Sequence, residues 1–257
     1  MDLRISATRK ELGKQAATDI ARAIHARLQT QSHVRIIFAA APSQSDMLQA
    51  LIQDAGIEWN RIIAFHMDEY IGLPSGAPQR FSVWLRRAIF DRVPFASFHL
   101  IQPGDDLDQT CRDYAHKLLV SQIDFVLLGI GANGHLAFND PPADLEDPLP
   151  VKVVTLDDVC RQQQVDDECF ASFEEVPQKA ISLTVPMLLR GDQLFCCVPG
   201  SSKSKAVRSM IHDPISGNCP AKAFALYCVS GSGVKCLDRR VRDSQGDNRE
   251  PNRDSRA

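Results

Sequence analysis

Four short runs of this chain are apolar almost from end to end, and each stops at a polar or glycine-bearing loop. They are residues 34–40 (Val34 to Ala40), 61–67 (Arg61 to Met67), 123–129 (Ile123 to Gly129) and 193–198 (Gln193 to Val198). A strand that is apolar on both sides must be covered on both faces, and a parallel sheet flanked by helices provides that cover. Helical periodicity lies between and before the runs. Leu12, Ala16, Ile20, Ala23, Ile24 and Leu28 recur every three to four residues, and Met47, Leu48 and Leu51 follow Pro42-Ser43. The expected architecture is α/β, a Rossmann-like parallel sheet with helices on both faces in a single domain. Ligands of such sheets sit beyond the carboxyl ends of the strands, so the loops after these runs are where chemistry is sought.

The charge pattern narrows the function classes. A formal net charge of -3 gives no electrostatic footprint for nucleic acid. The first thirty residues hold no uninterrupted apolar stretch, so neither a signal peptide nor a membrane anchor is expected, and a cytoplasmic location follows. Eight cysteines are scattered without a CxxC pair or a histidine at zinc-ligand spacing, and they read as reduced, buried small hydrophobes. No composition break divides residues 1–236, which are read as one domain. Residues 237–257 are expected to form a disordered tail: from Asp238 to Ala257 there are six arginines and five acids with almost nothing apolar.

Two strand-end loops carry groups that can move protons. The third run ends in Gly129-Ile130-Gly131-Ala132-Asn133-Gly134, which matches the dinucleotide fingerprint, but that fingerprint must open a long helix and Pro141-Pro142 follow too soon. The glycines Gly131 and Gly134 are instead expected to let backbone amides approach a substrate oxygen. His135, in the same loop as Asn133 and Asp140, brings an imidazole that, oriented by a carboxylate, can carry a proton between two substrate oxygens; a loop histidine merely bonded to Asp140 is the bland alternative. The second run ends in Met67-Asp68-Glu69-Tyr70. Adjacent carboxylates raise each other's pKa, and one of them can then act as a base near neutral pH.

The segments Phe65-His66-Met67-Asp68-Glu69-Tyr70-Ile71-Gly72-Leu73-Pro74 and Gly129 through Pro141 together resemble the two signatures of the glucosamine-6-phosphate deaminase/isomerase family. Weaker similarity runs through Gln79-Arg80-Phe81, Val154-Thr155-Leu156 and Pro199-Gly200-Ser201-Ser202-Lys203, covering roughly residues 1–221. The resemblance implies a hydrolase/isomerase that converts glucosamine 6-phosphate to fructose 6-phosphate and ammonia with no organic cofactor and no metal. It implies Asp68 as the enolising base, His135 as the ring-opening group with Asn133 and Asp140 as partners, and Lys203 as a phosphate ligand. Its only expected partner is a small sugar phosphate, apart from possible copies of itself in a homo-oligomer. A sugar-phosphate lactonase and a non-catalytic sugar-phosphate binder are the competing readings.

The chain departs from the family pattern in four places. Asn133 stands where many members have Asp, and an amide can orient but cannot act as a base. Asp140 replaces the usual Glu, which draws the carboxylate back by roughly 1 Å. The phosphate loop reads Ala39-Ala40-Ala41-Pro42-Ser43-Gln44-Ser45 rather than glycine- and threonine-rich, leaving Ser43 to cap the next helix and face an anion; a second basic ligand near Asp166 is missing, with Arg161 a little upstream. After Cys219-Pro220-Ala221 the closing strand of the family is not recognisable, whether from a shifted reading frame or a diverged terminus, and residues 224–229 (Phe224 to Val229) are the expected substitute.

Overall fold

The computed structural model describes residues 2–225 and the backbone of residues 234–238. The chain runs β1 (Asp2–Ser6), α1 (Arg9–Leu28), β2 (Val34–Phe38), α2 (Ser45–Ile52), β3 (Ile62–His66), β4 (Asp68–Tyr70), α3 (Phe81–Leu85), β5 (Ser97–His99) and α4 (Leu107–Leu119). It continues with β6 (Phe125–Leu128), β7 (Val151–Thr155), α5 (Asp158–Asp166), β8 (Lys179–Leu183), α6 (Val185–Leu188), β9 (Gln193–Cys196), α7 (Ser204–His212) and β10 (Val234–Asp238). Seven strands form one sheet in the order β1-β10-β9-β6-β2-β3-β5, and every pair in it is parallel.

Alternation along the central strands explains why the runs are apolar throughout. Ile36 and Phe38 of β2 and Phe125 and Leu127 of β6 join the core layer that α1 and α2 cover, through Ile20, Ile24, Met47 and Leu51. Ile37, Val126 and Leu128 point the other way, into the layer built with Tyr114 and Leu118 of α4 and Val207 and Met210 of α7. The first helix starts where a capping box stops the chain: Thr8 accepts from the Glu11 amide, and the Glu11 carboxylate accepts from the Thr8 amide. Among the described residues no helix is long and apolar enough to cross a membrane.

Three features extend or correct the sequence reading. A second, antiparallel sheet of order β4-β8-β7 stands beside the parallel one, and it turns Asp68-Glu69-Tyr70 from a loop into a strand paired with β8. The strand that closes the large sheet between β1 and β9 is Val234–Asp238, whereas Phe224 and Ala225 continue in helix and residues 226–229 lie outside the described residues. That strand carries ordered backbone as far as Asp238, past the expected boundary at 236. The rest of the expected tail lies outside the described residues.

Candidate active site

The loops that leave β2, β3, β6 and β9 at their carboxyl ends meet around a cleft of about 380 Å³. Asp68, His135, Ser43, Gly131 and Lys203 all line it. Asn133, Gly134 and Asp140 do not.

The two adjacent acids of β4 are separated by strand alternation, which sends neighbouring side chains to opposite faces. Asp68 faces the cleft while Glu69, fully buried, accepts from the Tyr70, Phe81 and Ser82 amides at 3.0, 3.1 and 3.0 Å and from the Ser82 hydroxyl. Arg80 Nε lies 3.4 Å from the same carboxylate. Glu69 thus fastens the start of α3 to β4. Burial, and then the neighbouring Glu69 charge, push the Asp68 carboxyl well above the ordinary carboxylate range. A base of raised proton affinity therefore faces the cleft. Tyr70 shares the Asp68 side of β4; its ring packs against Phe81, Phe138 and Phe170, and its hydroxyl donates to Gln164 Oε1 at 2.8 Å. His66, wholly buried, accepts from the Ile101 amide through Nε2, and burial and then Arg80 lower its pKa to about 3, so it is a neutral structural imidazole.

The loop after β6 is built around His135. Residues 129–150 contain no helix, consistent with the objection to a dinucleotide site. Asn133 ties the loop to itself: its Oδ1 accepts from the His135 amide at 3.0 Å and its Nδ2 donates to Asp140 Oδ1 at 3.2 Å. The His135 Nδ1 lies 3.3 Å from that same oxygen. The shorter carboxylate of Asp140 therefore still reaches the imidazole. Burial alone pushes the Asp140 carboxyl up, but His135, the Asn133 amide and the Asp157 backbone N–H together outweigh it and hold it below its ordinary range. Asp140 is the ionised partner and Asn133 the orienting one.

The glycines act differently from the expectation. The Gly131 amide donates to the His135 carbonyl and the Gly134 amide to the Gly131 carbonyl, each at 3.0 Å, so both serve the loop and not a substrate oxygen. Gly134 is required by its left-handed backbone, φ +90°. Gly131 is required by space: a methyl there would stand 2.2 Å from the His135 ring. Gly131→Ala is therefore expected to displace the imidazole and cost at least about 100-fold in turnover, the scale of a 1 Å misplacement. Turnover measured beside circular dichroism checks this, since the loss should occur with the fold retained.

Lys203 brings a cation to the cleft. Its side chain is buried in the turn Ser201–Lys203 after β9, and among the described residues no acceptor bonds its ammonium. Burial lowers its pKa, against which the nearby Asp167 and Asp166 act. Ser43 lines the cleft but caps nothing. It lies within the turn Pro42–Gln44, whose own N-cap is Ala41, and its hydroxyl accepts from Gln44 Nε2 at 3.1 Å. Arg161 is unavailable to an anion: it donates to the Val176 and Phe173 carbonyls and stacks over the Phe173 ring. The second cation of the cleft is Arg9, which the sequence reading missed. It comes from the first turn of α1 and contacts Asp46 and the Pro42 carbonyl. Gln163, Gln164 and the acids Asp166, Asp167 and Glu168 form a further wall that no motif announced.

Comparisons with known proteins show the family of the chain. The profile of the family described as glucosamine-6-phosphate isomerases/6-phosphogluconolactonase matches residues 7–228. Glucosamine-6-phosphate deaminase 1 of Bacillus subtilis is 32% identical over 181 residues, 69% of this chain and 73% of its own length. The deaminase of Cellvibrio japonicus is 28% identical over 181 residues, and the chain spans just 66% of that relative's length. A solved monomeric glucosamine-6-phosphate deaminase superposes with a TM-score of 0.85 at 26% identity, covering 95% of this chain and 99% of its own. A Trypanosoma brucei 6-phosphogluconolactonase superposes at 0.76 with 16% identity, over 95% of this chain and 98% of its own, which shows a shared fold alone. By the extent of the profile match and the identity to the Bacillus subtilis deaminase, the chain belongs to the glucosamine-6-phosphate isomerase/6-phosphogluconolactonase family.

Proposed function

We propose that the chain converts glucosamine 6-phosphate and water to fructose 6-phosphate and ammonia. The observation that carries this reading is the convergence of Asp68 and His135, from different strands, on one cleft that also holds the buried ammonium of Lys203. Opening the sugar ring moves the C1 hydroxyl proton to the ring oxygen, and the imidazole of His135, oriented beside Asp140 and Asn133, is placed to carry it. Asp68 then takes the C2 proton as its carboxylate and returns it to C1, while one proton of the amino group ends on O1, so the C1 aldehyde becomes a hydroxymethyl group and C2 becomes an imine. Water adds to that carbon and ammonia leaves, so atoms and charge balance without an organic cofactor.

The phosphate of the substrate is assigned to Lys203, because a buried ammonium that no acceptor among the described residues bonds gains most from a dianion. Lys203→Met is expected to raise KM for glucosamine 6-phosphate by roughly 10- to 100-fold, the equivalent of one charged hydrogen bond. Weak turnover of unphosphorylated glucosamine should stay unchanged, and steady-state kinetics on both sugars checks it. A reducing, cytoplasmic setting belongs to the same proposal. It is supported by the free state of all six described cysteines.

Ammonia release from glucosamine 6-phosphate, assayed beside hydrolysis of 6-phosphogluconolactone, tests the assignment. Release of ammonia with no lactone hydrolysis is expected. Lactone hydrolysis without ammonia would make the chain a lactonase, and thermal stabilisation by the sugar without either reaction would make it a binder.

A further inference from the structure

On the Asp140 side of the His135 ring a third group completes a set. A ring nitrogen of His135, a carboxylate oxygen of Asp140 and the Sγ of Cys160 all lie within 4.8 Å of one another, and Nδ1 is the nitrogen 3.3 Å from Asp140. His135 and Cys160 are 8% and 0% exposed. The buried Nδ1 faces the Asp140 carboxylate at 3.3 Å without the alignment of a hydrogen bond. A buried imidazole nitrogen facing a carboxylate in this way can serve as a ligand atom.

Two stretches of chain hold the set in place. His135 and Asp140 are linked through Asn133, and Asp140 Oδ2 accepts from the Asp157 amide at 3.3 Å. Asp157 is also the N-cap of α5, and its side chain accepts from the Cys160 amide. The donors are thus fixed by loop, cap and helix together.

We propose that His135, Asp140 and Cys160 form a binding site for a borderline-soft divalent cation of the Zn²⁺ class. Tetrahedral zinc at its usual bond lengths of about 2.0–2.3 Å spaces neighbouring ligand atoms roughly 3.3–3.6 Å apart. The His135–Asp140 separation of 3.3 Å already matches one such edge, and the thiol must close by at most about 1.3 Å. A nitrogen, one carboxylate oxygen and one sulfur select Zn²⁺ or Co²⁺ over Mg²⁺ and Ca²⁺, which prefer oxygen alone. Three protein ligands leave the fourth position to water. Binding converts the thiol to a thiolate and releases its proton, so affinity rises with pH. The cation takes the Nδ1 and the carboxylate that orient the imidazole, so it competes with ring opening and acts as an inhibitor. The inhibition rests on the proposed deaminase reading, whereas the binding does not.

Titration of the metal-free chain with Co²⁺ tests the site directly. One equivalent should bind with a near-ultraviolet thiolate-to-cobalt band and the visible bands of a tetrahedral ion, and Zn²⁺ should displace it. Cys160→Ser should remove the near-ultraviolet band and weaken Zn²⁺ at least about tenfold, since even indirect ligand losses cost 10- to 100-fold. Cys111→Ser, on α4 and remote from the set, should change neither. Absence of the band in the unaltered chain, or its persistence in Cys160→Ser, overturns the proposal. If Cys160→Ser fails to fold by circular dichroism, His135→Gln takes its place: loss of the one-equivalent site upholds the proposal and retention overturns it. A chain that binds Co²⁺ in this way yet releases no ammonia would keep the metal site and discard the deaminase reading.

Discussion

Asp68→Asn should lower ammonia release by roughly 10²- to 10⁴-fold, the usual worth of a positioned general base, while leaving glucosamine 6-phosphate bound. The amide keeps the shape of the side chain and its place at the cleft but cannot accept the C2 proton. Stability should move the other way. Burial and Glu69 raise the pKa of Asp68 in the fold, so the ionised form is disfavoured in the native state and weighs against it at neutral pH. The sign follows: this group favours the fold below its unfolded pKa, and that advantage is lost as pH rises through the folded value. Asp68→Asn therefore should not lower Tm at pH 7. The same shift predicts an acid limb in the pH profile of kcat lying above the ordinary carboxylate range, because activity appears only as Asp68 loses its proton. Turnover, sugar binding and calorimetry on one preparation check all of this, and retained turnover would exclude Asp68 as the base.

Glu69→Ala should do the reverse, damaging the fold before the chemistry. Glu69 is fully buried, accepts from three backbone amides and one hydroxyl, and faces the half-paired charge of Arg80. Removing it strands all of these groups in the interior, a loss on the order of 3–5 kcal/mol. For a chain of this size that corresponds to a fall in Tm of about 6–20 °C. The start of α3 and Phe81, which lines the cleft, should loosen with it. Differential scanning calorimetry measures the shift. A Tm within a degree or two of the unaltered protein would contradict the structural role given to this acid.

These neighbouring residues show what could be read from the sequence. That an acid of this pair would stand at the ligand end of the sheet was legible from its place after an apolar run and from the family resemblance. Their division of labour was not, because it depends on a three-residue strand with two charges in it, which has no apolar pattern to announce it. The parallel sheet was legible for the opposite reason: its inner strands are buried on both faces and had to be apolar throughout. Ser43 was placed correctly at the cleft but given the wrong local role, since Pro42 opens a separate turn and α2 begins two residues later, at Ser45. Arg9 could not have been found. Its approach to the cleft is produced by the packing of α1 against α2, a long-range contact that local sequence does not encode. The same holds for Asp167 and Glu168, whose position depends on where α5 ends relative to strands far away in the chain. The shorter Asp140 was noted as a departure, and it reaches His135 because Asn133 and the Asp157 amide hold it there.

The central claim is that one carboxylate and one imidazole act on the same open-chain amino sugar. Glucosamine 6-phosphate carrying deuterium at C2 tests it most directly, with ammonia counted and the label followed into fructose 6-phosphate. One ammonia per sugar is predicted, with part of the deuterium delivered to C1, because a single buried carboxylate takes it up and returns it. Fructose 6-phosphate formed with no deuterium at C1, or no ammonia at all from the folded protein, would contradict it.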